Sequence, residues 1–308
     1  MRKGSTLRLT ALALLWGSSF LWIAIALWAM SPAQIVLVRL ALGALVLLAV
    51  TRIRHLKLPK DRGVWFHLTV AALFANVIPY LLFAVAEQHV SSSVAGVLNA
   101  TTPIWTVAVA FAVGTDRRLS RLQLAGLIIG FAGTLMIFSP WESGSQITSW
   151  GGLAALGAAA SYGISYVYMN HYLIGRGIEP LVLSASQLLA ATGLVAVAAP
   201  FIGGLDALHP RWDAFLAAAV LGVLGTGVAY VLNYRLIADE GTTASVVTYL
   251  LPVVAVALGA TVLSEPLTVP VLAGMVIVLA GVALTRRAAT RVPPAQKTSP
   301  STQDPAER

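Results

Sequence analysis

Residues Ala95 to Gly133 read AGVLNATTPIWTVAVAFAVGTDRRLSRLQLAGLIIGFAG, and a degenerate copy, ASVVTYLLPVVAVALGATVLSEPLTVPVLAGMVIVLAG, runs from Ala244 to Gly281. At an offset of 149 (244 − 95), Ala95, Val97, Pro103, Val107, Ala108 and Val113 fall on Ala244, Val246, Pro252, Val256, Ala257 and Val262, and Asp116 falls on Glu265. After a one-residue shift, Leu119, Leu124, Gly126, Ile129 and Gly133 fall on Leu267, Leu272, Gly274, Ile277 and Gly281. Each copy reads as an apolar helix with a proline inside it, a turn carrying one acid, and a Gly-rich apolar helix. Self-similarity at a fixed period marks duplication of a whole structural unit.

Composition places that unit in a membrane. The 308 residues are 58% hydrophobic and 10% charged, with a mean hydropathy of +0.83, where an ordinary soluble domain is about 45–50% apolar and about 25% charged. The net charge of +8 could suggest nucleic acid, but the basic residues lie in short segments between apolar runs, as the positive-inside bias of membrane proteins places them. No nucleic-acid partner is expected; lipid and a small-molecule substrate are. The absence of Cys excludes disulfides and thiolate chemistry.

A helix needs about 20 apolar residues to cross the hydrocarbon core. Such runs start at about Leu9, Pro32, Val64, Ser91 and Arg121, and again at Trp150, Pro180, Trp212, Thr243 and Thr268. The first run could be mistaken for a signal peptide ending near Ala24-Ile-Ala26, but it is too long and its removal would leave an odd number of spans. Ser31-Pro32 supplies a capping hydroxyl and a proline at the first helical position, and Ser120-x-x-Gln123 supplies a capping box. The expected organisation is a cytoplasmic N-terminus (1–8), a first five-helix repeat (9–139), an external junction (140–149), a second repeat (150–285) and a disordered cytoplasmic tail (286–308). Basic residues cluster before span one, in Arg52–Arg62 and around Arg117–Arg121, so both termini are assigned to the cytoplasm.

Five is odd, so the second repeat enters the membrane from the opposite side. The fold class is therefore an all-α membrane protein of ten transmembrane helices arranged as two inverted five-helix repeats. Secondary transporters built this way bind substrate near the midplane between the repeats and work by alternating access. The duplication extends further: Trp16-Gly-Ser-Ser-Phe20 answers Tyr162-Gly-Ile-Ser-Tyr166, and Pro32 with Arg39 answers Pro180 with Gln187.

Trp16-Gly-x-x-Phe20, Arg39 in span two, Pro103 and Pro252 in spans four and nine, the Asp116-x-x-Leu119 and Glu265-x-Leu267 turns, and the Gly-rich spans five and ten together resemble the EamA branch of the drug/metabolite transporter superfamily. The resemblance covers residues 8 to 287. It implies a ten-helix inner-membrane carrier of small metabolites, amino acids or related compounds, usually exported. The chain departs from the family pattern at Asp116, where Glu is usual, and at Gln187, where a symmetric pair would place a second Arg.

Candidate substrate-binding residues follow from the cost of polar groups in lipid, which turns them inward. Arg39 is the only charged residue well inside a span. Two readings apply to it: it meets a substrate carboxylate bidentately, or it is satisfied by helix-end carbonyls, Glu87 or Glu265. Trp16, Asn76, Tyr80, Asn99, Tyr162, Tyr166, Asn233 and Tyr249, with Trp105 and Tyr230, would give aromatic walls and amide donors suited to a zwitterion with an apolar side chain; the alternative is helix–helix hydrogen bonding and interfacial belts. Pro103 and Pro252 each remove a backbone hydrogen bond and are candidate gating kinks. No catalytic residue, metal or cofactor is expected, and P-loop and hydrolase motifs are absent. With no acid mid-span, facilitated diffusion or coupling through a group at a span end is expected, in a monomer or homodimer. A drug-efflux carrier, an intramembrane lipid enzyme and a non-transporting membrane subunit are the alternatives.

Overall fold

In the computed structural model the described residues are 3–114, 121–138, 150–204, 206–240 and 247–289, and every regular element among them is a helix. In chain order these are α1 (Lys3–Gly17), α2 (Ser19–Ala26), α3 (Pro32–Ile53), α4 (Arg62–Ala72), α5 (Ile78–Ala86), α6 (Ser92–Asn99), α7 (Thr102–Ala112), α8 (Arg121–Phe138), α9 (Trp150–Tyr172), α10 (Pro180–Ala198), α11 (Trp212–Gly222), α12 (Ala229–Glu240), α13 (Val247–Val262) and α14 (Val269–Ala289). Four apolar runs are each split in two: α1/α2, α4/α5, α6/α7 and α11/α12. Short π-helical turns, Leu73–Val77 and Val223–Val228, join α4 to α5 and α11 to α12.

Six segments are long and apolar enough to cross a membrane: Thr6–Ala26, Pro32–Ile53, Arg62–Ala86, Ser92–Ala112, Pro180–Phe201 and Trp212–Asn233. Leu124–Gly133, Leu250–Val262 and Val269–Gly281 are shorter apolar helices, and α9, rich in Gly, Ser and Tyr, meets neither description. The helical ends run past the sequence boundaries. α1 starts at Lys3 and α14 continues to Ala289, because helix-compatible basic residues extend the apolar segments at each end. The Asp116 turn with Ser120, the 140–149 junction and the tail beyond Ala289 lie outside the described residues.

The two proline helices differ, which corrects their reading as equivalent copies. In the first, the helix breaks at Ala100–Thr101 and Pro103 falls in the opening turn of α7. In the second, Pro252 sits inside a continuous α13. The residues ahead of each proline explain this. Thr101 Oγ1 donates to the Leu98 carbonyl (2.7 Å) and Thr102 Oγ1 to that of Asn99 (2.8 Å), so hydroxyls satisfy carbonyls released at the break. Leu250 and Leu251 can do neither.

Helix packing is reciprocal between the halves. α3 packs on α10, α6 on α13 and α8 on α14, each against its own sequence counterpart; α9 packs on α5 as α1 packs on α12. Self-pairing of equivalent elements is what a two-fold axis between two halves produces. At the α8–α14 crossing the backbones touch: a Cβ added to Gly281 would lie 2.7 Å from the Gly126 carbonyl oxygen, and one on Gly133 would lie 2.7 Å from the Val278 amide. Small residues at that spacing let helices approach this closely. The largest core joins α2, α3, α5, α10 and α11 through Ile23, Leu40, Leu47, Tyr80, Leu188 and Leu221. Large apolar side chains such as Ile128, Phe131, Val276 and Trp212 point outward, a surface that suits lipid rather than water.

Candidate functional site

The start of α3 fixes where its buried face points. Ser31 and Gln34 form a reciprocal capping box on either side of Pro32, and the Gln34 amide also donates to the Asp206 carbonyl (2.7 Å) while Ser31 Oγ donates to that of Gly203 (2.6 Å). The helix end is thereby tied to the segment following α10. Arg39 lies seven residues beyond Pro32, about 10 Å along the axis by the rise of 1.5 Å per residue. Gln187 lies seven residues beyond Pro180 in α10, and α3 and α10 cross.

Each of these side chains reaches the π-helical turn of the opposite half. Arg39 Nε donates to Thr226 Oγ1 (3.0 Å), whose hydroxyl in turn donates to the Leu221 carbonyl (3.1 Å). Gln187 Nε2 donates to Asn76 Oδ1 (2.7 Å), and Asn76 Nδ2 donates to the Tyr230 hydroxyl (3.2 Å). Asn76 and Thr226 are repeat counterparts (226 − 76 = 150), as are Tyr80 and Tyr230 (230 − 80 = 150). The cluster is thus two reciprocal cross-links between the halves, one ending on a cation and the other on an amide.

The local sequence accounts for the π turns. Pro79 lacks an N–H and disturbs the ladder just after Leu73–Val77. In the second half, Gly225-Thr226-Gly227 loosens the helix instead. A π turn exposes a carbonyl for another donor, and the Phe74 carbonyl accepts from Ser161 Oγ (2.7 Å).

Arg39 is 7% exposed, with its Cζ 3.7 Å above the centre of the Tyr80 ring, a cation–π contact. Among the described residues it makes no ion pair, and its two Nη groups make no hydrogen bond. Neither proposed acidic partner takes it. Both Glu265 oxygens are occupied by Ser92 and Ser93, and neither Glu87 oxygen has a hydrogen-bond partner.

The structure gathers Arg39, Asn76 and Tyr80, with Trp16 standing edge-on to Tyr230 at 6.4 Å and Tyr162 tilted against Phe83 at 6.2 Å. Others are placed differently: Tyr166 is 55% exposed, Asn99 ends α6 at the helix break and Asn233 is partly buried in α12. The Tyr249 side chain lies outside the described residues. Thr226 and the bonding role of Gln187 escaped sequence reasoning, although extending the repeat to spans three and eight pairs Thr226 with Asn76. Two surface recesses, one against Thr69 and Ala190–Phe201 and one beneath the Arg52–Lys60 loop, do not reach the cluster.

The Asn76–Gln187 link is expected to behave as a buried amide pair. Asn76→Leu alone strands the Gln187 amide and should cost about 1–3 kcal/mol of stability, whereas replacing both by Leu should be nearly neutral. Thermal unfolding of the single and double variants in detergent checks this; equal losses in both would show that the bond contributes nothing.

Comparison with known proteins agrees with this architecture. The model of the EamA-like transporter family matches residues 6–139 and 149–287, one match to each half. The uncharacterized inner membrane transporter YedA of Escherichia coli strain K12 is 30% identical over 82% of this chain and 80% of its own. The uncharacterized transporter YvbV of Bacillus subtilis is 24% identical over 91% of this chain and 90% of its own. An uncharacterized transporter of Archaeoglobus fulgidus is 25% identical, covering 92% and 98% respectively. A solved crystal structure, 20% identical, superimposes with a TM-score of 0.66 over 95% of this chain and 100% of that one, a likeness of fold.

Proposed function

Because the chain belongs to the EamA-like transporter family and resembles an inner membrane transporter, we propose that this multi-pass membrane transporter moves small organic metabolites, amino acids or related compounds, outward across the plasma membrane. Ten spans as two inverted repeats, 9–139 and 150–285, with cytoplasmic termini, complete the arrangement. The halves alternate access to a site at their interface, where Trp16, Arg39, Asn76, Tyr80 and Tyr162 contact the solute. Pro103, at a helix break, and Pro252 serve as the bending points.

One observation carries the substrate class: a buried guanidinium stacked on an aromatic ring, with both Nη groups unspent and the amides of Asn76 and Gln187 in the neighbouring cross-link. A planar fork of donors in a site of low dielectric recognises a carboxylate. The solute is therefore an amino acid or another compound with a carboxylate and an apolar body. Substrate gradients, or weak coupling through a group at a span end, drive it.

Counterflow in proteoliposomes with a panel of radiolabelled amino acids, sugars and nucleosides tests this. Saturable counterflow of an amino acid, competed by other carboxylates and not by sugars, is the expected result. A silent panel, or counterflow confined to uncharged solutes, would overturn the substrate class and favour amphipathic drugs or lipids.

A further inference from the structure

Glu87 ends α5, one residue beyond the apolar segment Arg62–Ala86. Both of its carboxyl oxygens are buried, and no hydrogen-bond donor reaches either. Its acidic neighbour Glu265, in the turn between α13 and α14, has the opposite surroundings. Glu265 Oε1 accepts from the Ser92 amide and hydroxyl (both 2.8 Å), and Oε2 from the Ser93 amide (3.0 Å) and hydroxyl. Two carboxyls thus share one region, one with four donors and the other with none. The Arg39 guanidinium acts on Glu87 from α3, but its Nε is committed to Thr226 and its face to Tyr80. The Ala24 amide of α2 also acts on it, without meeting hydrogen-bond geometry. His89, two residues on, is exposed.

An ionised carboxylate buried with no donor is costly, and a proton removes that cost without any further ligand. A metal ion would need more oxygen or nitrogen ligands, and among the described residues no group of three His, Asp or Glu could hold one. We propose that Glu87 is a proton-binding site of this transporter: its carboxyl carries a proton at neutral pH while the Glu265 end is closed, and releases it to water when that end opens. The step breaks the carboxyl O–H bond, passes H+ to a water molecule and leaves the carboxylate, with no electron transfer. Burial, and then the charge of Glu265, push the Glu87 carboxyl well above the usual carboxylate range, while Arg39 and the Ala24 amide pull it back by less. When two carboxyls share a region, unlike surroundings assign the proton to one of them.

The inference rests on the transporter reading but is tested without a solute. Infrared difference spectra of the full-length protein in lipid, titrated in H2O and in D2O, report the C=O stretch of a protonated carboxyl. The wild type should show that band at pH 7, shift it down in D2O and lose it as pH rises. Glu87→Gln should lack it, Glu87→Asp should retain it, and Glu265→Gln should move its loss to lower pH, because a neighbouring negative charge is gone. A folded wild type without the band at pH 7, a band that survives in Glu87→Gln, or one that D2O leaves in place would each overturn the proposal. Counterflow on the same proteoliposomes judges the transporter reading separately, so either can fail alone.

Discussion

Arg39→Ala is expected to lower counterflow of a carboxylate solute by about 10- to 100-fold while leaving the protein folded in the membrane. The size follows from the bonds at stake: a charge-assisted contact to a buried carboxylate is worth about 1.5–3 kcal/mol, and about 1.4 kcal/mol is a factor of ten. The direction of the stability change separates this role from a structural one. A guanidinium that is 7% exposed and has no ion pair among the described residues carries a desolvation penalty that only one hydrogen bond and one aromatic face offset. Replacing a buried charge by an apolar side chain of similar volume is often neutral or stabilising. Thermal stability of Arg39→Met, which keeps most of the buried volume, should therefore stay level or rise as transport falls. Arg39→Lys keeps the charge, loses the planar fork and should fall between the two. Wild-type counterflow in Arg39→Ala, or a loss of transport matched by a loss of folded protein, would remove Arg39 from the site.

The duplicated stretch made the helical class and the division into halves legible, because hydrophobicity and proline spacing survive divergence when each half must bury the same faces. The Ser31-Pro32 start of α3 was legible for a local reason: capping chemistry is written in adjacent residues, and both halves of the box form. What was not legible depends on contacts between segments far apart in the chain. The π turns at Leu73–Val77 and Val223–Val228 follow from Pro79 in one half and Gly225-Thr226-Gly227 in the other, so no shared motif announces them. Arg39 could be recognised as an unusual charge, but its acceptor Thr226 lies 187 residues away and resembles any other hydroxyl in an apolar helix. The break ahead of Pro103 was hidden because the prolines align, while the residues deciding the outcome, Thr101 and Thr102 against Leu250 and Leu251, do not. Glu87 and Glu265 both read as acids at span ends; which one has donors depends on the fold of Ser91–Ser93 against the α13–α14 turn.

That turn supplies the largest expected effect on stability. Glu265 is delivered to α6 by backbone geometry: Ser264 adopts a left-handed conformation with φ of 54°, and the Leu263 and Glu265 amides both donate to the Gly259 carbonyl (3.1 Å each). A Cβ at Gly259 would fall on Glu265 Oε2 and Ser93 Oγ, so the glycine leaves the space the carboxylate fills. The carboxylate then satisfies two first-turn amides of α6 and two hydroxyls, and places negative charge at the positive end of the helix dipole. Glu265→Ala strands all four donors at once and should cost about 2–4 kcal/mol, a fall of about 3–6 °C in unfolding midpoint for a chain of 308 residues. Glu265→Gln can accept at one oxygen but turns a donor toward the other pair, and should lose roughly half as much. Gly259→Ala, which keeps the carboxylate and displaces it, should reproduce much of the loss. Since α6 belongs to the first half and the turn to the second, the bond is a tie between halves at one end. Breaking it should raise the labelling of a cysteine placed at Val90, in a chain that has no other cysteine, by a water-soluble thiol reagent. An unchanged midpoint in Glu265→Ala would mean that water replaces the carboxylate at no cost and that the tie does not hold that end shut.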